Sequence, residues 1–310
     1  MSKLTILVTG GAGFIGSHLV DSLLAQGHQV RVLDNFSTGK LSNLPRSERL
    51  TVIEGDIADA ELVASCVAGC DAVAHLAAVA SVQASVEQPL ATHQSNFIGT
   101  LNVCEAMRQH QVKRVIFASS AAVYGNNGEG EAISESLAKQ PLTPYASDKL
   151  ASEYYLEFYQ REHQLEPVIF RFFNIYGPRQ DPSSPYSGVI SIFTERAKQQ
   201  LPITVFGDGE QTRDFVFVSD LVKILQAALE VDEIPSGGAI NVGLGGSVSL
   251  NQLLQGIEQA LQQPLSVSYG SARAGDIKHS LANNQRLQHY FPLTQPVSIE
   301  QGLAELLKGS

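Results

Sequence analysis

The chain has 310 residues, 44% hydrophobic and 17% charged, enough apolar material for one large or two coupled globular domains and too much for a disordered chain. Its net charge of −10, with no run of Lys and Arg, argues against a nucleic-acid binder. No apolar stretch approaches the roughly 18 residues of a membrane-spanning helix.

MSKLTILVTGG opens the chain as a short strand followed by glycines rather than as a signal peptide, so a cytoplasmic protein is expected. After LTILVTG (4–10), Ile15, Leu19 and Leu23 give residues 13–27 a helical period, and Gly27 supplies a stop. Strands follow at 29–34, 49–56, 72–78, 112–120 and 167–174, with helices at 60–69, 101–111 and 145–163. Such alternation predicts a parallel sheet covered by helices on both faces. Residues 176–188, rich in Pro, Ser and Gly, break the rhythm. Beyond them, 212–230 reads as a strand and helix that return to the first sheet. Three cysteines are too few, and odd in number, for a disulfide framework. Cys66 and Cys70 share a helix face without a third ligand nearby, so all three, with Cys104, read as core residues and no metal is expected.

TGGAGFIG places Gly10, Gly13 and Gly16 after a strand, with Phe14 and Ile15 opening a helix. Two of these glycines permit a tight turn and close approach to a pyrophosphate; the third lets helix and sheet pack closely. The helix N-terminus then offers N–H groups to the anion. Asp34, followed by Asn35, ends the second strand 24 residues after Gly10, where a carboxylate meets an adenosine ribose. That carboxylate repels a 2′-phosphate, which favours NAD over NADP. Asp56 and Ile57, at the next strand end, read as an adenine contact, or Asp56 as a turn carboxylate.

Tyr145 and Lys149, four apart at the start of a helix, share one face. A phenol of pKa about 10 needs roughly 4 kcal/mol of differential stabilisation to ionise near pH 7, at 1.36 per unit. A nearby ammonium pushes in that direction. Alone, the pair reads equally well as a surface Tyr and Lys. Ser120, in ASSAAVYG at the end of the preceding strand, can hydrogen-bond the same hydroxyl.

Together Gly10–Gly16, Asp34, Ser120, Tyr145 and Lys149 resemble the extended short-chain dehydrogenases/reductases, and most closely the UDP-hexose 4-epimerases with their branch acting on N-acetylated sugars. The resemblance implies an α/β fold: a Rossmann-type doubly wound parallel sheet (1–170 plus 215–238) and a smaller mixed α/β substrate domain (171–214 plus 239–310). It implies tightly held NAD, with Leu76, Ala77, Ala78 and Phe172 joining the cofactor residues, and a homodimer formed through two helices per subunit. Similar dehydratases and decarboxylases carry acids just after the serine position; Ala121 and Ala122 move no protons, which leaves hydride removal and return. In the implied reaction Tyr145 takes the proton of the sugar 4-hydroxyl, Ser120 shares the hydrogen bond, and Lys149 holds the ribose. The 4-keto sugar turns over, and hydride returns to its other face.

The resemblance also assigns the diphosphate and nucleoside to Asn174, Arg213, Arg273 and Asp276. Val189 lies near Ser191, where relatives usually carry proline, and Arg179 reads as a loop residue. Ser81 either bonds the sugar or caps a turn; His75, His93 and His279 read as structural. Ser280 stands four residues after Asp276, where members restricted to plain hexoses have a bulky aromatic. A serine leaves room for an acetamido group, so UDP-GlcNAc and UDP-GalNAc are the expected pair, with UDP-Glc and UDP-Gal also accepted; alternatively Ser280 only caps a turn. Two other readings stand: a UDP-glucuronate 4-epimerase, with Arg and Ser holding the carboxylate, and a silent NAD-binding scaffold, which needs none of Ser120, Tyr145 and Lys149.

Overall fold

The computed structural model describes residues 3–126, 130–181, 188–272 and 278–308. In chain order it contains β1 (Thr5–Thr9), α1 (Phe14–Ala25), β2 (Gln29–Asp34), β3 (Leu50–Glu54), α2 (Ala60–Val67), β4 (Ala72–His75), α3 (Val82–Glu87), α4 (Pro89–His93), α5 (Gly99–His110), β5 (Arg114–Ser120), α6 (Pro144–His163) and β6 (Glu166–Phe172). Then come β7 (Asn174–Tyr176), α7 (Val189–Lys198), β8 (Ile203–Phe206), β9 (Thr212–Arg213), β10 (Phe215–Phe217), α8 (Val218–Glu230), β11 (Ile240–Val242), β12 (Val248–Ser249), α9 (Leu250–Leu261), β13 (Val267–Gly270), β14 (His279–Ser280), α10 (Gln285–Tyr290) and α11 (Ile299–Leu307). The chain divides into two compact units: Met1–Gly125, Pro141–Arg171 and Val222–Ile240 form the first, and Asn126–Gln140, Phe172–Leu221 and Asn241–Ser310 the second.

A seven-stranded sheet of order β11-β6-β5-β4-β1-β2-β3 is the frame of the first unit. Its chain order reverses between β1 and β4, and such switch points are where doubly wound sheets bind ligands, beyond the strand ends. The pairs β1–β2, β1–β4, β2–β3 and β4–β5 are all parallel. Ile6, Leu7 and Val8 are wholly buried, as befits a strand covered on both faces. Leu19, Val20, Leu23 and Leu24 form the buried side of α1, which stops after Ala25 as Gly27 takes φ +90°. At the start of α6, Thr143 accepts a hydrogen bond from the Ala146 N–H at 3.3 Å, and Pro144 occupies the first turn. One π-helical turn, Gln94–Ile98, joins α4 to α5. Non-glycine residues in the left-handed region stand at or just past four helix ends, and all four are glutamines: Gln111, Gln164, Gln200 and Gln262.

Residues 212–217 do not return to the large sheet as their pattern suggests. β10 pairs with β7 in a separate two-stranded sheet, and β9 lies between β12 and β14 in a three-stranded one. The physical reason is Asp214, fully buried where β9 gives way to β10. Its carboxylate accepts from the backbone N–H groups of Leu244 (2.9 Å), Gly245 (3.0 Å) and Ala282 (3.1 Å), and its carbonyl from Asn174. These bonds tie the short strands to neighbouring loops of the second unit. The seventh position of the large sheet, beside β6, is taken instead by β11. In the second unit Tyr176, Ile190, Phe193, Leu253 and Leu303 anchor a separate core. No described helix is long and apolar enough to cross a membrane.

Candidate active site

The turn after β1 is built for close backbone approach. Gly10 has φ +69°, and a Cβ there would lie 2.8 Å from the backbone of Ala77. On Gly16 a Cβ would strike the Gly10 carbonyl oxygen at 2.1 Å, so only glycine lets α1 start so near the sheet. At Gly13, among the described residues, a Cβ would meet only that same oxygen, at 3.2 Å, so the backbone borders open space. Gly13 is also the N-cap of α1 and offers no side-chain cap, and the first turn, which starts at Phe14 and Ile15, holds no acid. Uncapped N–H groups at a glycine cradle suit a pyrophosphate.

Asp34 is buried and braces this turn: Oδ2 accepts from Ala12 N–H at 2.9 Å and Oδ1 from Phe36 N–H at 2.8 Å. A carboxylate has four lone-pair sites, so capacity remains for ribose hydroxyls. The Asn35 amide donates to Asp56 Oδ2 at 2.8 Å, which brings two of the expected cofactor residues together. Asp56 also accepts from Ala58 N–H, as a turn carboxylate does. Ile57 is a core residue, its carbonyl accepting from Asn102.

β4 ends at His75, earlier than its pattern suggests, because Leu76, Ala77 and Ala78 leave the sheet beside Gly10. Four residues hold this departure in place, among them His75, which reads from sequence as structural. Ala77 N–H donates to Thr9 Oγ1 at 3.2 Å, and Thr9 Oγ1 is 2.7 Å from His75 Nδ1. His75 Nε2 lies 3.0 Å from Thr100 Oγ1, which donates to the Asn96 carbonyl. The Asn96 side chain, within the π-helical turn, bonds both the N–H and the carbonyl of Val79. Since Thr100 gives its hydrogen to Asn96, His75 donates from Nε2 and accepts at Nδ1. Burial drives the His75 pKa down to about 3, with the Lys149 charge adding to the effect. Ser81 caps α3, accepting from Ala84 N–H at 3.0 Å.

Ser120, Tyr145 and Lys149 meet in the first unit. Ser120 ends β5 and caps the 3₁₀ turn Ala121–Tyr124, accepting from Ala122 N–H at 3.2 Å, and its hydroxyl faces the Tyr145 side chain. Burial raises the Tyr145 pKa above the usual phenol range, and Ser120 pulls it back. Lys149, four residues on along α6, lies beside the same ring. Its ammonium is buried, 4.8 Å from the Phe117 ring centre and 5.9 Å from that of Tyr145. Burial lowers the Lys149 pKa to about 8, while Asp148 and Glu153 oppose the shift. His93 pairs with Asp148 at 2.7 Å.

The described candidates for the nucleotide portion, with Ser280, lie in the second unit. The Asn174 amide donates to the Asp214 carbonyl at 3.1 Å, and Arg213 Nη1 to the Thr212 carbonyl at 2.8 Å. β14 pairs with β9 so that Ser280 stands opposite Arg213, while His279 Nδ1 is 3.0 Å from Thr212 Oγ1. Val189 opens α7 after Gly188, which provides no side-chain cap, and Ser191 donates to Gln180 at 2.6 Å. Phe172 ends β6. Arg273 and Asp276 lie outside the described residues.

A profile of the NAD dependent epimerase/dehydratase family matches residues 6–243. A putative UDP-glucose 4-epimerase of Methanocaldococcus jannaschii is 40% identical over 277 residues, covering 88% of this chain and 87% of that one. Among solved structures, a UDP-N-acetylglucosamine 4-epimerase of Methanobrevibacter ruminantium, in complex with UDP-N-acetylmuramic acid, superposes with a TM-score of 0.94 at 39% identity, covering 99% and 98% of the two chains. The UDP-glucose 4-epimerase of Thermus thermophilus complexed with NAD does so at 0.87 and 37%, covering 98% of each. With the glycine cradle, Asp34 and the Ser120–Tyr145–Lys149 cluster all in place, the protein is an NAD-using enzyme and belongs to the NAD dependent epimerase/dehydratase family.

Proposed function

We propose that the protein inverts C4 of a UDP-sugar, with UDP-GlcNAc and UDP-GalNAc as its preferred pair and UDP-Glc and UDP-Gal also turned over. The observation that carries the reaction type is the meeting of Ser120, Tyr145 and the buried Lys149 in one place, with only Ala121 and Ala122 following the serine. Tyr145 takes the proton of the 4-hydroxyl and later returns it, Ser120 holds both oxygens in line, and Lys149 supplies positive charge beside the phenolate. NAD, when bound, supplies a hydride acceptor that gives the hydride back. Gly10, Gly13, Gly16 and Asp34 hold its pyrophosphate and ribose, with Leu76, Ala77, Ala78 and Phe172 as further cofactor residues. Asn174, Val189, Arg213, Arg273 and Asp276 bind the UDP portion.

Ser280 supports the sugar assignment. A serine beside Arg213 leaves space that a bulky aromatic removes, and overpacking a formed pocket costs about 1–3 kcal/mol. The test offers UDP-GlcNAc, UDP-Glc and UDP-glucuronate separately to the wild type and to Ser280→Tyr, with products read by NMR. We expect UDP-GalNAc as the main product, and in Ser280→Tyr a loss of at least about tenfold for the N-acetylated pair alone, equivalent to 1.36 kcal/mol of barrier. Turnover of UDP-glucuronate only, or an equal fall for both pairs, overturns the assignment. The functional unit we propose is a homodimer, supported by the apolar residues that α4 and α6 expose.

A further inference from the structure

One turn of α6 beyond Lys149, Glu153 is buried together with Ser119, Tyr124 and Arg171. The Ser119 hydroxyl donates to Glu153 Oε1. Arg171 donates twice to the same carboxylate, from Nε to Oε1 at 3.0 Å and from Nη2 to Oε2 at 2.6 Å. Its Nη1 donates to the Tyr124 hydroxyl at 2.8 Å, and its guanidinium carbon lies 5.0 Å from that ring's centre.

Stability alone is a poor account of this cluster. Desolvating two charges offsets most of what a buried ion pair gains, and an apolar pair of similar volume often holds a core as well. What hydrogen bonds add is direction and register. These run between segments that matter: Ser119 adjoins Ser120 on β5, Tyr124 ends the turn that Ser120 caps, and Glu153 lies one turn from Lys149 and two from Tyr145. A slide of α6 along β5 breaks the bidentate pair and the bond from Ser119 together. About 1 Å of misplacement at a reacting centre is enough to cost a hundredfold in rate.

We propose that Glu153, with Ser119 and Arg171, acts as a positioning residue that fixes α6 along β5 so that Ser120 reaches the Tyr145 hydroxyl. This rests on the assignment of Tyr145 as the proton acceptor. Two variants of the holoenzyme test it, and neither alters the net buried charge: Ser119→Ala, which leaves the ion pair intact, and Glu153→Gln with Arg171→Met, which removes both charges. Tyr145 ionisation is followed by NMR of ring-labelled tyrosine, its signal assigned with Tyr145→Phe, alongside kcat and KM for the UDP-sugar that the wild type turns over. Because Ser120 favours the phenolate, drawing it away from Tyr145 moves the ionisation to higher pH. The expected result is a rise of about half a unit or more, a fall in kcat of at least about fivefold, and KM unchanged within about twofold. Ionisation at the wild-type pH overturns the proposal, whether or not kcat falls. Should the double variant fail to fold, Ser119→Ala decides alone. Near-normal turnover by Tyr145→Phe defeats the assignment of Tyr145 itself, whereas an inactive Tyr145→Phe beside an unaltered Ser119→Ala defeats only the positioning role.

Discussion

At the scale of single residues, the proposed reaction turns on the phenol oxygen of Tyr145. Replacing it with phenylalanine removes one oxygen and leaves the ring, Ser120 and the buried Lys149 in place, so the fold and bound NAD survive. Turnover of the UDP-sugar should fall by at least about a thousandfold, the upper range for one proton-transfer group. A direct measurement is single-turnover kinetics with the nicotinamide content of the purified variant determined beside it. Normal rates with NAD retained would show that another group moves the proton. The residues proposed for this chemistry stand out in the sequence by their short spacing: Gly10, Gly13 and Gly16 three apart, and Tyr145 four before Lys149. What spacing did not reveal is which neighbour tunes which. The sequence suggests Lys149 acting on Tyr145; the folded chain adds burial, which raises the phenol, and Ser120, which lowers it. Electrostatics depend on depth, and depth is a property of the packed chain.

Among the elements, the segment leaving β4 is held by a residue with a clear signature in pH. His75 stays neutral in the fold, its pKa brought down to about 3 by burial, whereas an unfolded chain binds the proton near the usual 6.5. Below that value the unfolded state takes up a proton that the folded state refuses. Stability is therefore complete above about pH 6.5 and declines towards pH 3, by roughly 1 kcal/mol for each unit. Urea denaturation of His75→Gln between pH 4 and 6 should show a shallower dependence than the wild type, even if the variant is weaker at neutral pH. Matching slopes would mean that other groups dominate acid unfolding. The bonds around His75 were hidden in the sequence because Thr9, His75, Asn96 and Thr100 come from separate elements. By the same logic the strands of the first unit were readable from their apolar runs, with their ends misjudged by a few residues. β9 and β10 were not, since two- and three-residue strands carry no period and their partners are chosen by the buried carboxylate of Asp214.

For the molecule as a whole, an exposed apolar surface lies on helices of the first unit. Leu90 is 85% exposed, Tyr154 57% and Tyr155 44%, and Phe97 packs edge-on to Tyr155 at 5.1 Å. Two copies related by a twofold axis bury each such residue twice, which makes the proposed dimer sensitive to single changes. Light scattering on a sizing column should give twice the 33.3 kDa chain mass for the wild type and the single mass for Leu90→Glu with Tyr155→Glu. A monomeric wild type would remove the dimer from the account. A different property of the whole chain follows from the four glutamines at its helix ends. Each holds a left-handed backbone that glycine adopts freely, at a cost of about 1 kcal/mol or more, so roughly 4 kcal/mol are stored in places remote in sequence from the chemistry. That is a sizeable share of the 5–15 kcal/mol by which domains typically remain folded. The enzyme thus carries thermal headroom in its scaffold: a lineage moving to hotter surroundings has four positions at which heat tolerance can rise while catalysis stays as it is.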